Sequence, residues 1–231
     1  LRSSTEEAES QKALAAAEAG IERALQGNVT VANPDLGNKS SYNVEVVPVD
    51  STKPFLLNGG NTISQSEGID VWLSNYSKDP GLIYNNPWSG NLTIYWGESG
   101  TACDNAALEI VIVSGPKNNP VSKRYAYDPC ETRQSENHFS APSSGGTVAG
   151  KTFSHGATIN GVSSALIARV IPIYGSTTGG ISGSAVLPSQ GSVDTSTGIS
   201  GQASRKIRVF NGYPQTYLPY LSYGLFVAAD Y

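Results

Sequence analysis

Leu14, Ala17, Ile21, Ala24 and Leu25 recur along the opening of the chain at i, i+3, i+7, i+10 and i+11, with Glu18, Glu22 and Arg23 between them. That spacing draws one apolar stripe along a helix. Alanine, leucine, glutamate, glutamine, lysine and arginine fill residues 4–25, side chains that lose little freedom in a helix, and Gly27 supplies the stop. At 1.5 Å per residue the helix runs roughly 33 Å. Its first half, from Arg2 to Lys12, offers almost nothing apolar to bury, so packing anchors only the second half.

Beyond Gly27 the period changes to two. Strands are predicted over 42–49, with a slip at Val46-Val47 that reads as a bulge, and over 68–74, where Ile69, Val71 and Leu73 alternate with Asp70 and Trp72. Leu92, Ile94 and Trp96 mark a third strand. Leu108, Ile110 and Ile112 mark a fourth, with Glu109 on its other face, and 123–127 is its hairpin partner across the turn at 115–120. Residues 164–174 are apolar on both faces and predict the central strand, with Pro172 putting its end at an edge or bulge. Strands at 184–188 and 202–210 are separated by a Ser/Thr/Gly turn region, and Leu221, Tyr223, Leu225 and Val227 form a closing strand.

Three stretches lack periodicity: the connector 28–41 with its Asn33-Pro34-Asp35 turn, the loop 75–91, and the segment 131–162, poor in apolar residues. The architecture predicted is α+β. A long helix (1–27) packs on a mainly antiparallel sheet within a β-rich head (28–231).

Composition narrows the class. Only 15% of the 231 residues are charged, and Gly, Ser, Thr, Asn and Tyr abound, a mix that fits a β-rich extracellular protein. The net charge of −4 gives no general attraction to nucleic acid, and no nucleic-acid partner is expected. The two cysteines, Cys103 and Cys130, read as one disulfide in an oxidising compartment or as half of a metal site. His138 and His155 stand apart from any second ligand at metal spacing, so no metal is expected. Tyr76, Tyr84 and Trp88 make the loop 75–91 either a surface that stacks on a glycan or receptor, or a loop pinned to the sheet by its own aromatics. Lys206 and Arg208 alternate with Ile207 and Val209. That basic face either meets nucleic acid or an acidic neighbouring subunit, or is simply solvated. Phosphate loops, HExxH, GxSxG and CxxC motifs do not occur, so a non-enzyme without a cofactor is expected. No window approaches the run of about 18 apolar residues that spans a bilayer.

The run Ala13-Leu14-Ala15-Ala16-Ala17-Glu18-Ala19-Gly20-Ile21-Glu22-Arg23-Ala24-Leu25 resembles the post-membrane part of the N-terminal helix in PilX-type minor pilins. Leu92-Thr93-Ile94-Tyr95-Trp96-Gly97, Ala107-Leu108-Glu109-Ile110, Arg205-Lys206-Ile207-Arg208-Val209, Leu218-Pro219 and Tyr223-Gly224-Leu225-Phe226 are similar to strand segments of that group. A type IV pilin carries a basic leader, a processing site and some twenty apolar residues ahead of this point, so the resemblance implies an ectodomain without the membrane half of its helix. It further implies a structural subunit at the cell surface, held in the inner membrane before assembly and joined to other pilin subunits through the helix. Its loops 75–91 and 131–162 would be presented for adhesion or contact with other minor pilins. A pseudopilin of a type II secretion system shares the helix logic, and a secreted β-rich glycan-binding domain is the alternative from another class.

Overall fold

Helix-forming residues carry α1 from Arg2 to Leu25, closed by Gly27 at a positive φ of 82°. The strands follow in chain order: β1 (Ser40–Pro48), β2 (Phe55–Leu56), β3 (Ile69–Trp72), β4 (Trp88–Trp96), β5 (Ala107–Ser114) and β6 (Val121–Tyr127). A short helix α2 (Glu131–Asn137) then leads to β7 (Ser143–Val148), β8 (Lys151–Ile173), β9 (Gly179–Gly183), β10 (Gly191–Ser200) and β11 (Ala203–Gly212). The computed structural model describes residues 2–27, 36–49, 51–77, 79, 81–98 and 101–215. The turn at Asn33-Pro34-Asp35 and the closing strand at Leu221, Tyr223, Leu225 and Val227 lie outside them. A long N-terminal helix and a mostly antiparallel β body make the protein α+β.

The chain divides into two units, Leu1–Val49 with Ser189–Tyr213, and Asp50–Pro188 with Pro214–Tyr231. The helix therefore shares its unit with β1, β10 and β11, a different division from helix and head. In this smaller unit β10 is the middle strand, antiparallel to β1 on one side and β11 on the other. The stretch 191–200 had the composition of a turn. It forms a strand because its small side chains lie under a helix: Ser192, Asp194, Ser196 and Ser200 alternate into the buried face. Across from them α1 buries Ala13, Ala16, Ala17, Gly20, Ile21 and Ala24.

The approach of helix to sheet is close. A Cβ on Gly198 would sit 2.0 Å from the carbonyl oxygen of Ala13, and one on Gly20 would sit 2.1 Å from Ser196 Oγ. No leucine fits such a seam. Leu14 and Leu25, expected on the packing face, lie at its flank, each 42% exposed, whereas Ala17, Ile21 and Ala24 are buried. The expected bulge in β1 is absent, since Ser40 to Pro48 pair with Ser200 to Ser192 without a shift. Val46 and Val47 break the alternation because both are exposed on this strand.

The larger unit is built on β8. Its 23 residues pair with β4 and β3 along one stretch of ladder and with β7 and β5 along another, within the order β2-β9-β4-β8-β5-β6. Positive φ at Gly161 and Ser164 coincides with register shifts against β4 and at the end of β5, so β8 bends where it changes partners. The central strand thus starts well before residue 164, and Pro172 lies inside it, paired with Leu108. The segment 131–162 is α2, the β7–β8 hairpin and the first half of β8 rather than an irregular loop. Ala149 and Gly150, both at positive φ, close that hairpin, and a Cβ on Gly145 would meet Phe153 O at 1.9 Å. Glycines there serve strand contact, which composition alone reads as looseness.

The core gathers Leu73, Leu92, Ile94, Trp96, Leu108, Ile110 and Ile181. β4 keeps its alternation, β5 and β6 form the expected hairpin, and β3 is buried on both faces, Asp70 and Trp72 included. Residues 184–188 do not form a strand; the pairing runs through Gly179–Gly183, leaving Val186 exposed. Glu109 is buried rather than outward, joined to Arg124 on β6.

Candidate functional site

The aromatic loop turns its rings toward the sheet. Trp72 on β3 stacks on Tyr84 at 5.4 Å with planes 16° apart, and takes Tyr76 edge-on at 5.0 Å. Trp88 opens β4 with its amide donating to Leu73 O at 2.7 Å, and its ring is buried. Asn75 and Asn85 bridge the base of the loop. Tyr76 and Tyr84 are half-buried, and one face of the Tyr84 ring is taken up by Trp72. Trp88 Nε1 is buried without a hydrogen-bond partner. Trp72 Nε1 donates to Pro214 O at 3.1 Å, and Asp70 N donates to Gln215 Oε1 at 2.6 Å. Opposite, Arg169 on β8 grips Asp70 through Nε at 2.6 Å and Nη2 at 2.9 Å, both side chains buried. A guanidinium paired two-fold with a carboxylate out of water fixes the register of β3 on β8.

Cys103 and Cys130 are joined as a disulfide that ties the approach to β5 to the start of α2. A polar clasp surrounds it. Asp128 is wholly buried and accepts from Arg133 Nη2 at 2.7 Å, Cys130 N at 2.9 Å and Asn137 Nδ2 at 2.8 Å. Arg133 also donates to Cys103 O and Asn105 O and lies 5.0 Å from the Tyr174 ring centre. Burial by itself would push the Asp128 carboxyl up. The bonds from Arg133, the Cys130 amide and Asn137, with the Arg133 charge, outweigh it and hold the group below the usual carboxylate range. This clasp has no signature in the sequence, because Asp128, Arg133 and Asn137 meet only once α2 has formed.

The two histidines occupy unrelated places. His138 caps α2 in the left-handed region at φ 58°, and His155 on β8 lies 5.8 Å from Trp96 with its Nε2 buried and unpartnered. Burial pushes the His155 imidazole below its ordinary value. Among the described residues no three of His, Cys, Asp and Glu gather as metal ligands, and no helix is long and apolar enough to cross a membrane. A cleft of about 170 Å³ lies between residues 51–54 and 183–187, with Ser51 Oγ donating to Leu187 O beside it. That is smaller than the roughly 300 Å³ at which ligand pockets begin.

The flank of α1 beside the seam carries Leu14 and Leu25, and β11 exposes Lys206 and Arg208 while Ile207 and Val209 are half-buried. Arg205 is tied to α1, donating to Ser10 Oγ through Nε at 3.0 Å. Comparison with protein-family models, with curated proteins and with solved structures finds no match.

Proposed function

We propose that the protein is a non-catalytic structural subunit of a surface filament, a minor pilin of the type IV class, acting in filament assembly or surface adhesion. The observation that carries this reading is the division of labour on α1. One face is given over to an alanine and glycine seam against an antiparallel sheet, and about a quarter turn round the helix Leu14 and Leu25 stay 42% exposed, beside an outer face of Glu18 and Glu22. A helix used on one side for the fold and free on the other is what a subunit needs if helices bundle in a fibre. In this reading an apolar helical half ahead of Leu1 holds the subunit in the inner membrane before assembly, and the β-rich part faces outward at the cell surface. Other pilin subunits are its partners through the helix.

The test joins a pilin leader and apolar helix half to the chain and expresses it in a host with a prepilin peptidase and an assembly machine. Processing followed by recovery in sheared surface fibres supports the proposal, and the Leu14→Asp, Leu25→Asp double variant should be processed but lost from fibres. A chain that is processed yet never leaves the membrane fraction sinks it.

A further inference from the structure

The face of the β1-β10-β11 sheet turned away from α1 is laid out in rows. The register aligns Val47, Val193 and Phe210 in one row, Glu45, Thr195 and Arg208 in the next, then Asn43, Thr197 and Lys206, and last Ser41, Ile199 and Ser204. Phe210 is 65% exposed, Val47 47% and Ile199 43%. Three large apolar side chains in solvent on one small sheet face are a cost unless something covers them. Glu45 and Arg208 flank Thr195 from the two outer strands, and neither has an ion-pair partner among the described residues.

This pattern is complementary to itself. Turned by a two-fold axis parallel to β10, a second copy sets its β11 over the first copy's β1 and its β1 over the first copy's β11. Each row then meets its own image. Phe210 covers Val47, Val193 meets Val193, and Glu45 faces Arg208 twice, once from each side. The strands of the two sheets stay nearly aligned, as stacked sheets prefer, with about 10 Å between them. We propose that this face is a two-fold contact between two copies of the chain, formed by the apolar row Val47, Val193 and Phe210 and locked by reciprocal Glu45 to Arg208 pairs.

The contact is small. Three strands at 4.8 Å spacing and nine positions at 3.3 Å give roughly 400 Å² per copy, about 800 Å² in all, which belongs to weak, reversible associations. Pairs at such a rim also weaken with salt. The proposal stands apart from the filament reading, since it concerns the chain alone.

Sedimentation velocity on the purified chain over rising concentration at low salt tests it. Wild type should associate to a dimer and no further. Glu45→Arg alone and Arg208→Glu alone each place like charges across the axis and should weaken association by about tenfold or more. An equimolar mixture of those two variants should associate again. The copy carrying Glu45→Arg presents arginine at both positions, and the copy carrying Arg208→Glu presents glutamate at both, so every facing pair is opposite in charge. The double reversal within one chain should restore the homodimer for the same reason. Phe210→Ser, at a site 65% exposed, should leave the thermal melt unchanged and be monomeric. A wild type that stays monomeric to about 1 mM overturns the proposal. So does a dimer indifferent to the reversals, as pairing through strand edges or through α1 would be, and so does a mixture that fails to recover.

Discussion

Asp128 holds a negative charge where no water reaches it, and it does so because Arg133, Asn137 and the Cys130 amide all converge on it. Its pKa lies below that of the unfolded chain, near 3.9, so it contributes stability above about pH 4 that is lost as the pH falls through the folded value. Asp128→Asn should lower unfolding free energy at pH 7 by about 3 kcal/mol, leaving Arg133 partly buried without its anion. In urea titrations the gap between variant and wild type should close as the pH drops below about 4. His155 works in the other sense. Its folded pKa lies below the unfolded value near 6.5, so the unfolded chain binds the proton first and stability falls as pH drops from about 6.5 toward the folded value. His155→Phe should flatten that part of the stability profile, measured as the thermal midpoint between pH 7 and about 5.

At the scale of elements, the helix seam decides which substitutions matter. Gly198→Ala drives a methyl into the Ala13 carbonyl, and the backbone must separate, at a cost of about 2 kcal/mol or more. Ile21→Asp buries a carboxylate under the helix with similar or larger effect. Leu14→Gln should cost less than either, about 1 kcal/mol or less, because its side chain lies at the edge of the seam and is 42% exposed. Chemical denaturation of the three variants checks the packed face directly. If Leu14→Gln proved as costly as Ile21→Asp, the rotation assigned to α1 would be wrong.

At the scale of the whole chain, residues Asp50–Pro188 of the larger unit separate β1 from β10 of the smaller one, so β1 joins the small sheet only by pairing with a strand far away in sequence. Such pairing is entropically costly and folds slowly. Within the larger unit the Cys103–Cys130 bond, spanning 27 positions, removes freedom from the unfolded chain worth roughly 3.5 kcal/mol in the loop-entropy account. The Cys103→Ala, Cys130→Ala variant should therefore melt several degrees lower than wild type, and reductant should bring wild type to the same midpoint. The Asp128 clasp packs around the same bond, so the two losses should not add.

Residue periodicity by itself determined α1, the alternating strand β4 and the β5–β6 hairpin with its cysteines at either end, because large apolar side chains at a fixed period need burial whatever lies opposite. Tyr76, Tyr84 and Trp88 were equally legible as an aromatic group, but where the rings of Tyr76 and Tyr84 lay depended on Trp72, which only the β3–β8 pairing delivers to them. Serine, threonine, alanine and glycine carry no such period. Their places in β10, in the β7–β8 hairpin and along the buried side of α1 came from how near another backbone had to pass. The tertiary structure alone decided that approach, and with it the exposure of Leu14 and Leu25 and the row-by-row face that β1, β10 and β11 turn to solvent.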